Sequence, residues 1–206
     1  MNEKFFDLVR EKQDRMINGA LEAFAKNGYK HATTDDMVKA VGVSKGLWFH
    51  YFGSKEGIYV FTYDYSVKYM LLELSAVVDE NETDYFEIVR QLEKTKARVG
   101  KSYPYMSEFL RVAEHENDEE IVAKTADVRR IYHERIDGLI KGKEIENISD
   151  RARRERIKKM LDYSLEGIAR EKQGADPDAV YREAKICIEL MHDMTRGLVN
   201  EGIGKN

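Results

Sequence analysis

The chain has 206 residues, 42% hydrophobic and 35% charged, with two prolines and one cysteine. That balance fits strongly amphipathic helices around a buried core and leaves no alternating strand runs of useful length. The net charge of −4 excludes a surface that is basic all over, and its distribution narrows the matter further. Residues 1–55 hold 9 Lys/Arg against 7 Asp/Glu, a net of +2, while the other residues hold 25 against 31, a net of −6. Any nucleic-acid surface should therefore lie in the N-terminal quarter, although so mild an asymmetry proves little without a motif.

The single Cys187 cannot form an intramolecular disulfide and suits a reducing compartment. The N-terminus mixes acids and bases through its apolar residues, unlike a signal peptide, and no eighteen apolar residues run together. A soluble, cytoplasmic protein without a membrane span is expected.

In chain order, residues 3–27 carry the first long helical pattern, with Met16, Ile17, Ala20, Leu21, Phe24 and Ala25 on one stripe and Asn27-Gly28 at its end. Ahead of that stripe, Phe5, Phe6, Leu8 and Val9 either continue the helix or fold back as an arm. Thr34 then caps a short helix with Asp35 and Asp36 in its first turn and Met37, Val38 and Val41 on its apolar face. Gly42 ends it, Ser44 caps the next helix, Lys45 to Phe52, and Gly53-Ser54 opens a third. Helix, glycine turn, helix within about twenty residues is the helix-turn-helix pattern, whose second helix enters the DNA major groove.

On a helical wheel Trp48 and Phe52 fall together, with Phe49 at their edge, while Gly46, Leu47, His50 and Tyr51 fall on the other side. So short a helix is not stable alone, so Trp48 and Phe52 must dock it and leave Gly46, Leu47 and His50 facing outward. Lys45 and Lys55, in the first turns of their helices, are placed to reach phosphates. The amides of the helix that Ser44 starts are themselves anion donors. Taken singly, His50 is more often a solvated surface histidine; the cap, turn, second cap and flanking lysines in register raise it to a base reader.

The segment G-V-S-K-G-L-W-F-H-Y-F-G-S-K-E-G-I-Y closely resembles the helix-turn-helix signature of TetR-family transcriptional regulators. The preceding A-L-E-A-F-A-K-N-G-Y-K-H-A-T-T resembles that family's first helix, so the likeness covers about residues 12–60. It implies an all-α chain: an N-terminal three-helix helix-turn-helix unit, residues 1–55, and a C-terminal helical effector-binding and dimerisation domain, residues 56–206. By the same resemblance Thr34, Lys45, Gly46, Leu47, Phe49, His50, Tyr51 and Lys55 lie at or near DNA, and Ser44 is counted with them. Phe49 stands where the family usually has a tyrosine that meets a phosphate, so packing alone is expected there. Asp35 stands where some members carry a basic residue, and Val38 and Val41 replace frequent alanines.

From Lys55 a helical pattern runs through Ile58, Phe61, Tyr65, Tyr69 and Leu72 to about Asp79. Further helices are expected over 83–100, 119–142, about 150–173 and 177–201, with a polar connection at 143–151. The aromatic stretch between residues 58 and 132 is core before it is pocket; Tyr105, Phe109 and Tyr132 are the candidate effector contacts. The last two helices can pack as a hairpin and pair with a second copy as a four-helix bundle, or be buried within one chain; the family resemblance favours the homodimer. Gly167 and Gly197 are candidates for close helix contacts there.

No constellation for catalysis appears. Cys187 and His192 are five residues apart, the wrong spacing for one helix face, and there is no nucleophile elbow, phosphate loop or zinc-binding helix. The reading is of a DNA-binding regulator without cofactor or metal: a ligand-responsive, homodimeric repressor on a palindromic operator, with an unknown small-molecule effector. An activator, or a non-catalytic helical interaction module, is the alternative.

Overall fold

A computed structural model describes residues 3–146 and 148–200. A short 3₁₀ helix, Glu3–Asp7, precedes α1 (Arg10–His31), α2 (Thr34–Val41), α3 (Lys45–Phe52), α4 (Lys55–Val77) and α5 (Tyr85–Gly100). There follow α6 (Met106–Ala113), α7 (Glu119–Ile140), α8 (Arg151–Glu171) and α9 (Pro177–Asn200). Among the described residues there is no strand, only an isolated bridge between Asp84 and Glu144. The fold is all-α. Among the same residues no helix is long and apolar enough to cross a membrane.

The chain packs as two units, residues 1–72 with 99–134, and residues 73–98 with 135–206. The core of the first collects Met16, Leu21 and Phe24 of α1, Met37 of α2, Trp48 and Phe52 of α3, Tyr59 and Tyr63 of α4, and Phe109 of α6, all buried. Apolar side chains at steps of three and four put one face of each helix into this core, and their burial is the main stabilising term. Its polar contents are satisfied in part: Trp48 Nε1 and the Tyr63 hydroxyl are buried without a hydrogen-bond partner, while others pair where the helices meet. Tyr103 donates to Asp14 at 2.6 Å, and its hydroxyl meets that of Tyr65 at 2.6 Å, joining α1, α4 and the approach to α6.

The first residues resolve the choice between helix and arm. The 3₁₀ helix folds back and buries Phe5 completely, with its ring 5.1 Å from Phe52, 5.2 Å from Phe61 and 5.7 Å from Tyr51. Helix α1 accordingly begins at Arg10, not residue 3. It loses helical geometry at Gly28, whose φ of 65° and ψ of 178° favour a residue without Cβ, and one more turn leads to His31.

The second unit is built on Tyr85, Phe86 and Val89 of α5, Leu161 and Leu165 of α8, and Ala184 and Ile188 of α9. The connection at 143–151, expected to be polar, adds Ile145 and Ile148 to this core. It is held there by the backbone: Tyr85 N–H donates to the Glu144 carbonyl and Glu144 N–H to that of Thr83. Gly167 is exposed, and a Cβ there would meet nothing within 4 Å, so it makes no close helix contact within the chain. Gly197 lies outside the described side chains.

Candidate nucleic-acid interface

Thr33, rather than Thr34, caps α2: its hydroxyl oxygen accepts from the Asp36 amide at 3.1 Å and donates to the Asp36 carboxylate at 2.6 Å. Thr34 is the first helical residue and is half-buried. Two adjacent threonines offer the same chemistry, and the extended backbone of Thr33 selects it. Gly42 closes α2 in the left-handed conformation, and the Ser44 hydroxyl accepts from Leu47 N–H at 3.3 Å to start α3.

Helix α3 docks as its pattern requires, with Trp48 and Phe52 buried and 5.6 Å apart between ring centroids. Lys45, Gly46 and His50 are exposed and Leu47 is half-buried. The space beyond Gly46 is open to at least 4 Å, as close approach of another molecule's backbone requires. Phe49 remains 38% exposed, so its ring is partly presented to solvent instead of packed away. Tyr51 is the residue the wheel misplaces. It is buried beneath Phe5, a neighbour from the chain's first turn that periodicity within α3 cannot register.

The two lysines have partners of different strength. Lys45 pairs with Asp35 at 2.9 Å, but both side chains are at least half exposed. Such a pair contributes about 0–1 kcal/mol, so a phosphate can take over the ammonium at little cost. Lys55 instead turns to the main chain, donating to the carbonyls of Tyr29 at 2.9 Å and of Lys30 and Ala32 at 3.3 Å.

Of the candidate effector contacts, Phe109 is wholly buried against Tyr59 at 5.4 Å and Phe24 at 6.0 Å. Tyr105 is half-buried, with the Lys26 ammonium 5.1 Å from its ring centre, and Tyr132 is half-buried on α7. An open cleft of about 460 Å³ lies in the second unit, lined by Glu82, Asp84, Phe86, Arg90 and His192 among others, and none of the three candidates borders it. Among the described residues no three His, Cys, Asp or Glu side chains converge to hold a metal ion.

Fold and site together define an all-helical protein with an N-terminal helix-turn-helix. Residues 16–60 match the family described as bacterial regulatory proteins, tetR family. The chain is 28% identical over 98 residues to the biofilm operon icaADBC negative transcriptional regulator IcaR of Staphylococcus aureus, a match spanning 48% of this chain and 45% of that protein. It is 35% identical over 54 residues to the transcriptional repressor AcnR of Corynebacterium glutamicum, covering 26% and 29% of the two chains. The chain thus matches less than half the length of these curated relatives.

A TetR-family regulator from Chloroflexus aurantiacus shares the fold over 97% of this chain and 94% of its own, with a TM-score of 0.56 and 19% identity. PfmR from Thermus thermophilus does so over 87% and 97%, with a TM-score of 0.55 and 20% identity. The helix-turn-helix unit is thus similar to that of TetR-family regulatory proteins, and the solved structures share the all-helical fold of the chain.

Proposed function

We propose that the chain is a ligand-responsive repressor that binds a palindromic operator as a homodimer in the cytoplasm. The observation that carries this reading is the solvent-facing surface of α3: Lys45, Gly46 and His50 exposed above a docked Trp48–Phe52 base. In this reading Gly46, Leu47 and His50 meet base edges, while Thr34, Ser44, Lys45 and the helix-start amides hold phosphates. Phe49 offers an apolar face, which suits a thymine methyl. Tyr51 acts from beneath as support. The functional division is the helix-turn-helix head, residues 1–55, and the remainder, 56–206.

Repression is supported by the descriptions of IcaR as a negative regulator and AcnR as a repressor. Dimerisation is supported by apolar side chains left in solvent on both C-terminal helices. Met160 and Tyr163 on α8, and Ile186, Leu190 and Met194 on α9, are between 52% and 67% exposed. At helical spacing they form stripes that a second copy would bury, each large side chain contributing about 1.5–3 kcal/mol. A small-molecule effector among Tyr105, Phe109 and Tyr132 would have to part Phe109 from its aromatic neighbours.

The test is a comparison of base preferences. Duplexes selected from a random library by the wild-type chain and by His50→Ala should differ at one symmetry-related position, with a discrimination loss of about 1–3 kcal/mol there. Identical profiles would remove His50 from base reading.

A further inference from the structure

We propose that Lys55 and Glu116 are positioning residues that clamp the link between α1 and α2, and thereby set how α2 and α3 are presented to DNA. This rests on the DNA-binding reading above. The need for a clamp begins at Gly28. Where α1 loses helical geometry, the carbonyls that follow lack regular helical amide partners, and the chain runs through Ala32 and Thr33 with extended backbone before α2 starts. Three of those carbonyls, on Tyr29, Lys30 and Ala32, accept from the Lys55 ammonium. The same ammonium lies 4.6 Å from the centre of the Tyr29 ring.

An ammonium carries three donors, and the three carbonyls take them all. To hold a phosphate, Lys55 would have to release the link. The end of a helix is also the negative end of its dipole, which favours a lysine there over one facing outward. On the donor side, the Tyr29 amide donates to Glu116 Oε2 at 3.3 Å. The other oxygen of Glu116 accepts from the amides of Asn117 and Asp118, each at 3.0 Å, so the carboxylate is fixed by the corner between α6 and α7. Asp118 caps α7 through the Ile121 amide, and Lys124 of α7 pairs with both Glu56 and Glu120. The link is thus gripped by its carbonyls from the start of α4 and by its amide from the start of α7, all within one packing unit.

The experiment measures affinity of the full chain for a wild-type-selected duplex as a function of salt. Lys55→Met and Glu116→Ala should each weaken binding by about tenfold, the loss of hydrogen bonds to a charged group, with no change in the slope of log K against log salt. Lys55→Arg, which keeps the charge and donors, should recover most of the loss, and Glu116→Gln, which keeps one acceptor oxygen but turns an NH2 towards the remaining amide donors, should bind between Glu116→Ala and the wild type. Thermal melting establishes that each variant is folded; if Lys55→Met is not, the contrast between Glu116→Ala and Glu116→Gln decides. A slope reduced by about 0.9 in Lys55→Met would make Lys55 a phosphate contact and overturn the proposal. Wild-type affinity in Lys55→Met or Glu116→Ala would overturn it as well. Failure of the wild-type chain to select any duplex would count against DNA binding itself, a distinct result.

Discussion

Gly19 sits where α1 crosses α2, and a Cβ built there would stand 2.2 Å from Val41 Cγ2 and 3.3 Å from the Met37 carbonyl oxygen. Val41, one of the two valines in place of the family's frequent alanines, therefore takes its space from the facing helix. Gly19→Ala would gain about 1 kcal/mol in helix propensity and lose about 1–3 kcal/mol to overpacking. The net expectation is a chain less stable in urea, with Val41→Ala relieving the clash. A double-mutant cycle should show favourable coupling of about 1 kcal/mol between the two changes. Additive effects would mean that α1 and α2 separate freely. At this scale the sequence is legible where a residue's partners lie within its own turn: the Ser44 cap and the Gly42 turn are examples. It is not legible where the partner comes from elsewhere. Phe5 buries Tyr51, and carbonyls freed by Gly28 capture Lys55; neither event leaves a mark on local periodicity.

Helix α4 carries a column of buried tyrosines. Burial pushes the Tyr63 phenol up to about 12 and Tyr59 higher still. Tyr103 is raised first by burial and then by its hydrogen bonds to Asp14 and Tyr65, and Tyr85 of the second unit is raised by burial. A phenol that ionises near 10 when unfolded and later when folded keeps its proton longer in the native state. The native state then binds more protons than the unfolded chain above that pH, so stability falls as pH rises through about 10. Melting temperatures should be flat from pH 7 to 9 and drop steeply towards 11. Tyr103→Phe should lessen the drop; an unaltered profile would show that Tyr103 ionises alike in both states. Most of the helices are legible from apolar spacing and caps, although α6 (Met106–Ala113) is not among those expected and α1 begins at Arg10 where the pattern begins at residue 3. The connection at 143–151 was not legible, because two isoleucines three apart in a polar stretch have no period, and only the backbone pairing with 83–85 turns them inward.

For the whole molecule, the proposed function makes α3 a small reading surface, with the rest of the chain pairing two such surfaces and, with an effector, setting when they would meet DNA. An effector must favour one state by about 5.5 kcal/mol to carry a two-state equilibrium from 1:99 to 99:1. In the proposed dimer the apolar stripes on α8 and α9 would supply the twofold, and a twofold protein reads a twofold site. Selection of duplexes from a random library by the wild-type chain tests this most directly. The account predicts enrichment of an inverted repeat with half-site centres about one helical turn apart, or a multiple of that, bound with a steep salt dependence. No enrichment at low salt would contradict sequence-specific DNA binding, and a single unrepeated half-site would contradict the paired arrangement.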